Sequence, residues 1–169
     1  MLVRLALTRR FRARWTQEIH QEWIDALLRD RTDLSREQLE QTANMMNLAV
    51  PGSLVTGYEP LIEGLVLPDK DDRHVLAAAI RCGAAAIITT NTKDFPQSAL
   101  QPFEKFARHP DDFIMDLADL EPQILEIIAK EQRSDLKSPP VSAAQFVSTL
   151  EKQGLAQVAA FLAERIDLI

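Results

Sequence analysis

The feature that most constrains this fold is an apolar helix followed directly by an apolar strand. Residues 73–82 (RHVLAAAIRC) have little polar surface, and Gly83 ends the helical pattern. Residues 84–89 (AAAIIT) form a continuous apolar run of strand length. Two successive elements of this kind are typical of a parallel sheet that helices cover on both faces. The sequence therefore predicts an α/β fold with a βαβ unit at its centre.

Polar residues flank this helix and strand. Asp69, Asp71 and Asp72 precede the helix, and Asn91 and Asp94 follow the strand. In a right-handed βαβ unit the helix runs antiparallel to the strands, so its N-terminus and the end of the strand lie at one edge of the sheet. We therefore expect Asp72 and Asp94 to converge, although many residues separate them in the sequence.

Converging carboxylates repel one another unless they share a proton or hold a cation. Oxygen ligands suit Mg²⁺ or Mn²⁺, and such ions commonly activate water for reactions at phosphate. An alternative is that Asp71 and Asp72 only cap the helix, and the adjacent residues leave this open. The histidines His20, His74 and His109 lack metal-ligand spacing and are predicted to be structural or surface residues.

The segment before the central stretch is predicted to contain two helices separated by a short strand. Residues 1–8 have helical spacing, and residues 11–15 alternate between apolar and polar. Thr16 is a plausible N-cap for a helix that continues to Asp30. Its predicted apolar stripe consists of Ile19, Trp23, Ala26 and Leu27. Glu22 lies at the border of this stripe, either exposed to water or directed into a cleft.

The remaining segments are predicted to be mainly helical. Capping-box patterns begin helices at Ser35 and Ser142, and residues 103–109 form a candidate edge strand. The two methionines Met45 and Met46 are predicted to fill the core. We predict an α/β domain at residues 1–118, followed by a C-terminal helical extension at residues 119–169 that ends in a helical hairpin.

The composition limits the compartment and the partners. The single cysteine, Cys82, excludes an internal disulfide framework, and no apolar run is long enough to span a membrane. Both properties predict a cytoplasmic protein. The net charge is −6, yet residues 1–15 contain five arginines and no acid. This arginine-rich segment suits contacts with phosphate, with a solvated helix face as the equal alternative.

The central stretch resembles a known family. PDKDDRHVLAAAIRCGAAAIITTNTKDFP is similar to the core of PIN-domain proteins, close to the VapC-like toxin branch. RARWTQEIHQEW resembles the second strand of that family and the helix with its glutamate. HPDDF and SPPVSAAQF resemble one bacterial subgroup. The resemblance implies a three-layer α/β/α fold with a short central parallel sheet. It also implies an endoribonuclease that uses Mg²⁺ or Mn²⁺, the toxin of a toxin–antitoxin pair, often dimeric and neutralised by a small antitoxin.

The resemblance also implies roles for particular residues. Glu22, Asp72 and Asp94 match the metal-binding acids of the family, and Asn91 matches a position that orients water or metal. Asp69 and Asp71 are additional acids whose roles the pattern does not fix. The residues expected to contact RNA phosphates are Arg12, Arg14, Arg73 and Lys93.

One part of the family pattern is not found. PIN domains begin with a central strand and an aspartate, whereas residue 1 here aligns within the first helix. A catalytically impaired, truncated PIN module that acts in protein binding or oligomerisation is therefore the second interpretation. A haloacid-dehalogenase-type phosphate enzyme is a weaker third, because Asp69-Lys70-Asp71 has the Asp-x-Asp spacing but precedes a helix in mid-chain.

Overall fold

The computed structural model describes every residue from Met1 to Ile169. Most of the chain is helical, and its two short β-strands pair in parallel. The helices are α1 (Leu2–Leu7), α2 (Gln17–Asp30), α3 (Arg36–Ala49), α4 (Arg73–Cys82), α5 (Gln97–Leu100), α6 (Pro110–Leu120), α7 (Pro122–Ser134), α8 (Ala143–Lys152) and α9 (Ala156–Ala163). The strands are β1 (Ala86–Ile88) and β2 (Phe106–Arg108). The predicted α/β class with a short parallel sheet is confirmed.

The chain divides into two compact units. The first, called the acidic unit because it contains the acid-rich stretch, comprises residues 11–87 and 92–107. The second, called the helical unit, comprises residues 1–10, 88–91 and 108–169. Each unit has its own buried residues and is described separately.

The main core of the acidic unit is built around α4. Its alanines at positions 77, 78 and 79 are buried, so the residues packed against this helix can approach its backbone closely. Leu76 and Ile87 are buried in the same cluster, together with Phe95 and Leu100 from the segment that follows β1. Gly83 ends α4 with a φ of 68°, a left-handed conformation that glycine adopts without a Cβ clash. Helix α4 is therefore buried as the sequence predicted, whereas β1 is shorter than predicted and buries only Ile87 rather than both of its faces.

Helices α2 and α3 carry a partly buried polar network besides their apolar contacts. Trp15 Nε1 donates to Asn47 Oδ1 at 2.6 Å, and Trp23 Nε1 donates to His20 Nδ1 at 3.0 Å. Because His20 Nδ1 accepts, the proton lies on Nε2, which donates to the same Asn47 oxygen at 3.0 Å. The amide of Asn47 thus joins α3 to α2 and to Trp15, the residue before the N-cap of α2.

Both predicted capping boxes are present, and they fix where α3 and α8 begin. The hydroxyl of Ser35 accepts from the backbone N–H of Gln38, whose side chain accepts from the backbone N–H of Ser35. Ser142 and Gln145 form the same reciprocal pair. Thr16 caps α2 by accepting from the backbone N–H of Ile19 at 3.0 Å. These three helix starts were therefore readable from local sequence.

In the helical unit, the beginning of α9 is held by an aspartate of α6. Asp111 is 4% exposed, and its two carboxylate oxygens accept from the backbone N–H groups of Gln157 and Val158 at 2.8 and 3.0 Å. These donors belong to the first turn of α9, where backbone N–H groups have no partner within the helix. Helices α8 and α9 pack against each other, and the predicted helical hairpin is confirmed.

Three local predictions were wrong. Residues 11–15 form no strand, since only Trp15 makes an isolated bridge, to Leu54. Helix α2 buries His20 and Ile24 rather than the predicted stripe, because the network around Asn47 accommodates a histidine that hydropathy ranks as polar. Met45 is 69% exposed rather than buried. No helix is both long and apolar enough to cross a membrane.

Candidate metal centre

Three aspartates of the acidic unit form a compact cluster. Asp69 and Asp72 precede and begin α4, and Asp94 ends the short 3-10 helix Thr92–Asp94 that follows β1. One carboxylate oxygen from each lies within 4.8 Å of those of the other two. The structure thus brings Asp72 and Asp94 together, as the βαβ geometry predicted, and adds Asp69, whose role the sequence left open.

The backbone before α4 explains how two of these acids reach the same place. Asp69 Oδ1 accepts from the backbone N–H of Asp71 at 2.9 Å, which folds the acidic loop back on itself. Asp72 occupies the N-cap position of α4, but its side chain makes no capping hydrogen bond. The alternative that Asp71 and Asp72 only cap this helix was therefore wrong.

The electrostatic state of Asp72 reflects its neighbours. Partial burial raises the pKa of Asp72 above its usual value, and the nearby charges of Asp69, Asp94 and Glu22 raise it further, while His74 acts in the opposite direction. A carboxylate whose charge is disfavoured in this way is stabilised by a nearby cation. The cluster has the electrostatic character of a cation site.

The donor set fits a hard divalent cation. Three carboxylate oxygens within 4.8 Å of one another form a group that could hold a metal ion. All three are oxygen donors, which Mg²⁺ and Mn²⁺ prefer, and the partial exposure of the group leaves room for water ligands. Cys82 is at the far end of α4, so a thiolate-based zinc site is not built here.

Glu22 is not a member of this aspartate cluster but is held close by. Its side chain is 53% exposed, and Oε1 accepts a hydrogen bond from His74 Nε2 at 2.9 Å. Its charge contributes to the raised pKa of Asp72. Of the two alternatives for Glu22, the structure shows exposure to water, with the exposed carboxylate anchored by a buried histidine.

The other predicted residues lie in different surroundings. Arg73 donates from Nε to the backbone carbonyl of Lys70 at 2.9 Å, and Lys93 is exposed next to Asp94 in sequence. Arg12 and Arg14 are both exposed, and the guanidinium of Arg14 donates a hydrogen bond to the backbone carbonyl of Gly52. The roles of these residues in binding RNA stay predictions.

Asn91 belongs to the helical unit. Its backbone N–H donates to Thr89 Oγ1 at 3.1 Å, and its side chain is exposed. Two arginines of the predicted N-terminal patch are also in this unit and pair with acids, Arg4 with Glu131 and Arg10 with Glu121. The role predicted for Asn91 stays a prediction.

Sequence reasoning missed two residues beside the cluster. His74 was predicted to be a structural or surface residue, yet its side chain contacts Glu22. The distance between His74 Nδ1 and Glu18 Oε2 is 3.4 Å, so the second residue that was missed is Glu18. Glu18 and Glu22 are four residues apart on α2 and therefore share a face of that helix. This i, i+4 spacing was visible in the sequence, but nothing in it indicated that a histidine from α4 would meet both carboxylates.

Comparison with known proteins identifies the family. The family model of the PIN domain matches residues 1–93, and the model of the VapC50 C-terminal domain matches residues 110–164. The chain belongs to the PIN-domain family, in its VapC-like branch. A protein named "Putative ribonuclease VapC50" from Mycobacterium tuberculosis is 38% identical over 109 residues, which are 62% of this chain and 64% of that protein. The matched segment thus spans less than two thirds of the length of this relative. No solved structure matches the present chain.

Proposed function

We propose that this protein is a VapC-like PIN endoribonuclease that hydrolyses RNA phosphodiester bonds with Mg²⁺ or Mn²⁺. The observation that carries the proposal is the cluster of Asp69, Asp72 and Asp94, with carboxylate oxygens within 4.8 Å of one another, in a chain of the PIN family. The name of the mycobacterial relative, which describes a ribonuclease, supports the same reaction.

The proposed site assigns each group a distinct task. Asp69, Asp72 and Asp94 would hold the cation, and Glu22 contributes a fourth carboxylate from α2. When bound, the divalent ion supplies activation of water and stabilisation of negative charge on the phosphoryl oxygens. The basic residues Arg73 and Lys93, adjacent in sequence to Asp72 and Asp94, would bind the RNA phosphates flanking the scissile bond, and Arg12 and Arg14 would extend this contact.

A role as the toxin of a toxin–antitoxin pair is part of the proposal. It is supported by the VapC-like branch and by the match of residues 110–164 to a VapC-type C-terminal domain. Such a toxin acts on cytoplasmic RNA, is bound by a small antitoxin and commonly forms a homodimer. Expression in a bacterial host is expected to arrest growth, whereas the Asp94→Asn variant is expected to allow it; equal growth with both would contradict the toxin role.

The nuclease reaction is tested with single-stranded RNA and Mn²⁺. We expect the RNA to be cleaved and EDTA to abolish the cleavage. Asp94→Asn should lower the cleavage rate by more than 10- to 100-fold, the loss that is typical when a group supporting a metal ligand is removed. Asp25→Asn is the matched control, because Asp25 is an exposed aspartate of the same unit that pairs with Arg36. Cleavage that persists both in EDTA and in Asp94→Asn would refute a metal-dependent reaction at this cluster.

A further inference from the structure

His74 is a buried histidine placed between two glutamates of another helix. It is 3% exposed, its Nε2 donates to Glu22 Oε1 at 2.9 Å, and its Nδ1 lies 3.4 Å from Glu18 Oε2. The second contact lacks the alignment of a hydrogen bond, so Nδ1 has no hydrogen-bond partner. Of the two glutamates, Glu22 is therefore the one that the imidazole fixes.

This hydrogen bond restrains a side chain that would otherwise be mobile. A glutamate that is 53% exposed samples many rotamers, and ordering it has an entropic cost. A hydrogen bond to an ionised carboxylate is among the stronger hydrogen bonds in proteins, and here the donor is itself immobilised by burial. The position of the Glu22 carboxylate is thus set by α4, the helix on which His74 lies, as well as by α2.

The same helix start serves the aspartate cluster. Asp72 is the N-cap of α4, and His74 follows two residues later, so one rigid turn presents a carboxylate to the cluster and a donor to Glu22. The charge of Glu22 raises the pKa of Asp72, which shows that Glu22 lies within electrostatic reach of the cluster. A link between His74 and Glu22 therefore bears on cation binding.

We propose that His74 is a positioning residue that holds the Glu22 carboxylate beside the aspartate cluster, so that Glu22 strengthens the binding of the divalent cation. This inference rests on the proposed function, since it concerns the same cation. It differs from a purely structural role for His74, which would change the stability of the fold but would not couple His74 to Glu22 in metal affinity.

The test is a double-mutant cycle in Mn²⁺ affinity, measured by calorimetry on the full chain. We expect His74→Leu and Glu22→Gln each to weaken binding about 10-fold, in the range found for groups that support metal ligands. The double variant is expected to bind no more weakly than the weaker single variant, because both changes remove the same interaction. His74→Gln, which can still donate to Glu22, should retain most of the affinity.

Glu18→Gln is the matched control. It neutralises a carboxylate on the same face of α2 that also approaches His74, but without an aligned hydrogen bond. We expect it to lower Mn²⁺ affinity less than Glu22→Gln does. The proposal would be overturned if the losses of Mn²⁺ affinity in His74→Leu and Glu22→Gln multiplied in the double variant. It would also be overturned if His74→Gln bound Mn²⁺ as weakly as His74→Leu does.

A second readout does not depend on the folding of a His74 variant or on the metal. In ¹⁵N NMR spectra of the metal-free protein, Glu22→Gln is expected to shift the Nε2 resonance of His74 and to leave that of His109 unchanged. An unchanged His74 resonance would refute the positioning role. A parent protein that shows this shift but binds no Mn²⁺ would instead refute the proposed metal-dependent function, so the two failures are distinguishable.

Discussion

Replacing Asp72 by asparagine separates a metal-binding role from a structural one. Asp72 is the N-cap residue of α4, and at such a position a carboxylate usually stabilises the helix. Here its side chain makes no capping hydrogen bond and shares its surroundings with Asp69 and Asp94. In the absence of metal we therefore expect Asp72→Asn to stabilise the protein, which is the opposite of the effect expected from losing a cap.

The size of this effect follows from the geometry of the cluster. Two unit charges 4.8 Å apart, the upper limit of the separations in the cluster, repel by about 0.9 kcal/mol in bulk water, which is the lower bound for a partly exposed group. Neutralising Asp72 removes two such pairs, about 1.7 kcal/mol, and sacrifices about 0.5 kcal/mol of favourable interaction with the N-terminus of α4. The free energy of unfolding should therefore rise by roughly 1 kcal/mol in low salt.

The assay is urea denaturation at neutral pH, first with EDTA and then with Mn²⁺. In EDTA the variant should unfold at a higher urea concentration than the parent, and Mn²⁺ should stabilise the parent but not the variant. The raised pKa of Asp72 gives the pH dependence: the folded state holds this proton more tightly, so the metal-free parent loses stability as the pH rises from 3.8 through the folded pKa. A variant that is less stable than the parent in EDTA would refute this reasoning.

Three further predictions concern polar groups that support the fold. Asp111→Ala should lower the free energy of unfolding by about 1–3 kcal/mol and speed hydrogen exchange at the first amides of α9, because it leaves one buried and one partly buried N–H group without an acceptor. Asn47→Ala should cost about 2–4 kcal/mol, since Trp15 and His20 both lose their acceptor; a red-shifted tryptophan emission would accompany it. Ser142→Ala should cost about 1 kcal/mol in thermal or urea unfolding through the loss of a capping box; changes near zero would contradict each.

The elements that the sequence predicted well are those whose signals are local. Capping boxes at Ser35 and Ser142, the glycine that ends α4 and the apolar run around Ile87 each depend on residues only a few positions apart. The strand predicted at residues 11–15 failed because a strand needs a partner along its length, and only Trp15 obtains one. Alternating hydropathy describes a face but does not supply the backbone partner.

The candidate site shows the same division between local and long-range information. The convergence of Asp72 and Asp94 was predicted from the handedness of a βαβ unit, a general rule that needs no side-chain detail. The convergence is present, but no strand precedes α4, and the two parallel strands are instead connected through α5. The addition of Asp69 depended on the turn that its own carboxylate makes with the N–H of Asp71. The contact between His74 and Glu22 joins two helices that are distant in sequence, and no periodicity reports it.

Two acidic pairs at helix starts show why sequence pattern alone does not assign function. Asp71-Asp72 precedes α4, and Asp111-Asp112 begins α6. Asp111 is buried, and both of its oxygens accept backbone hydrogen bonds, so its charge is satisfied within the protein. Asp72 makes no capping bond, and its pKa is raised by burial and by other carboxylates. An acid whose charge the folded chain leaves uncompensated points to a cation from outside, and this criterion distinguishes the candidate metal ligand from the structural acid.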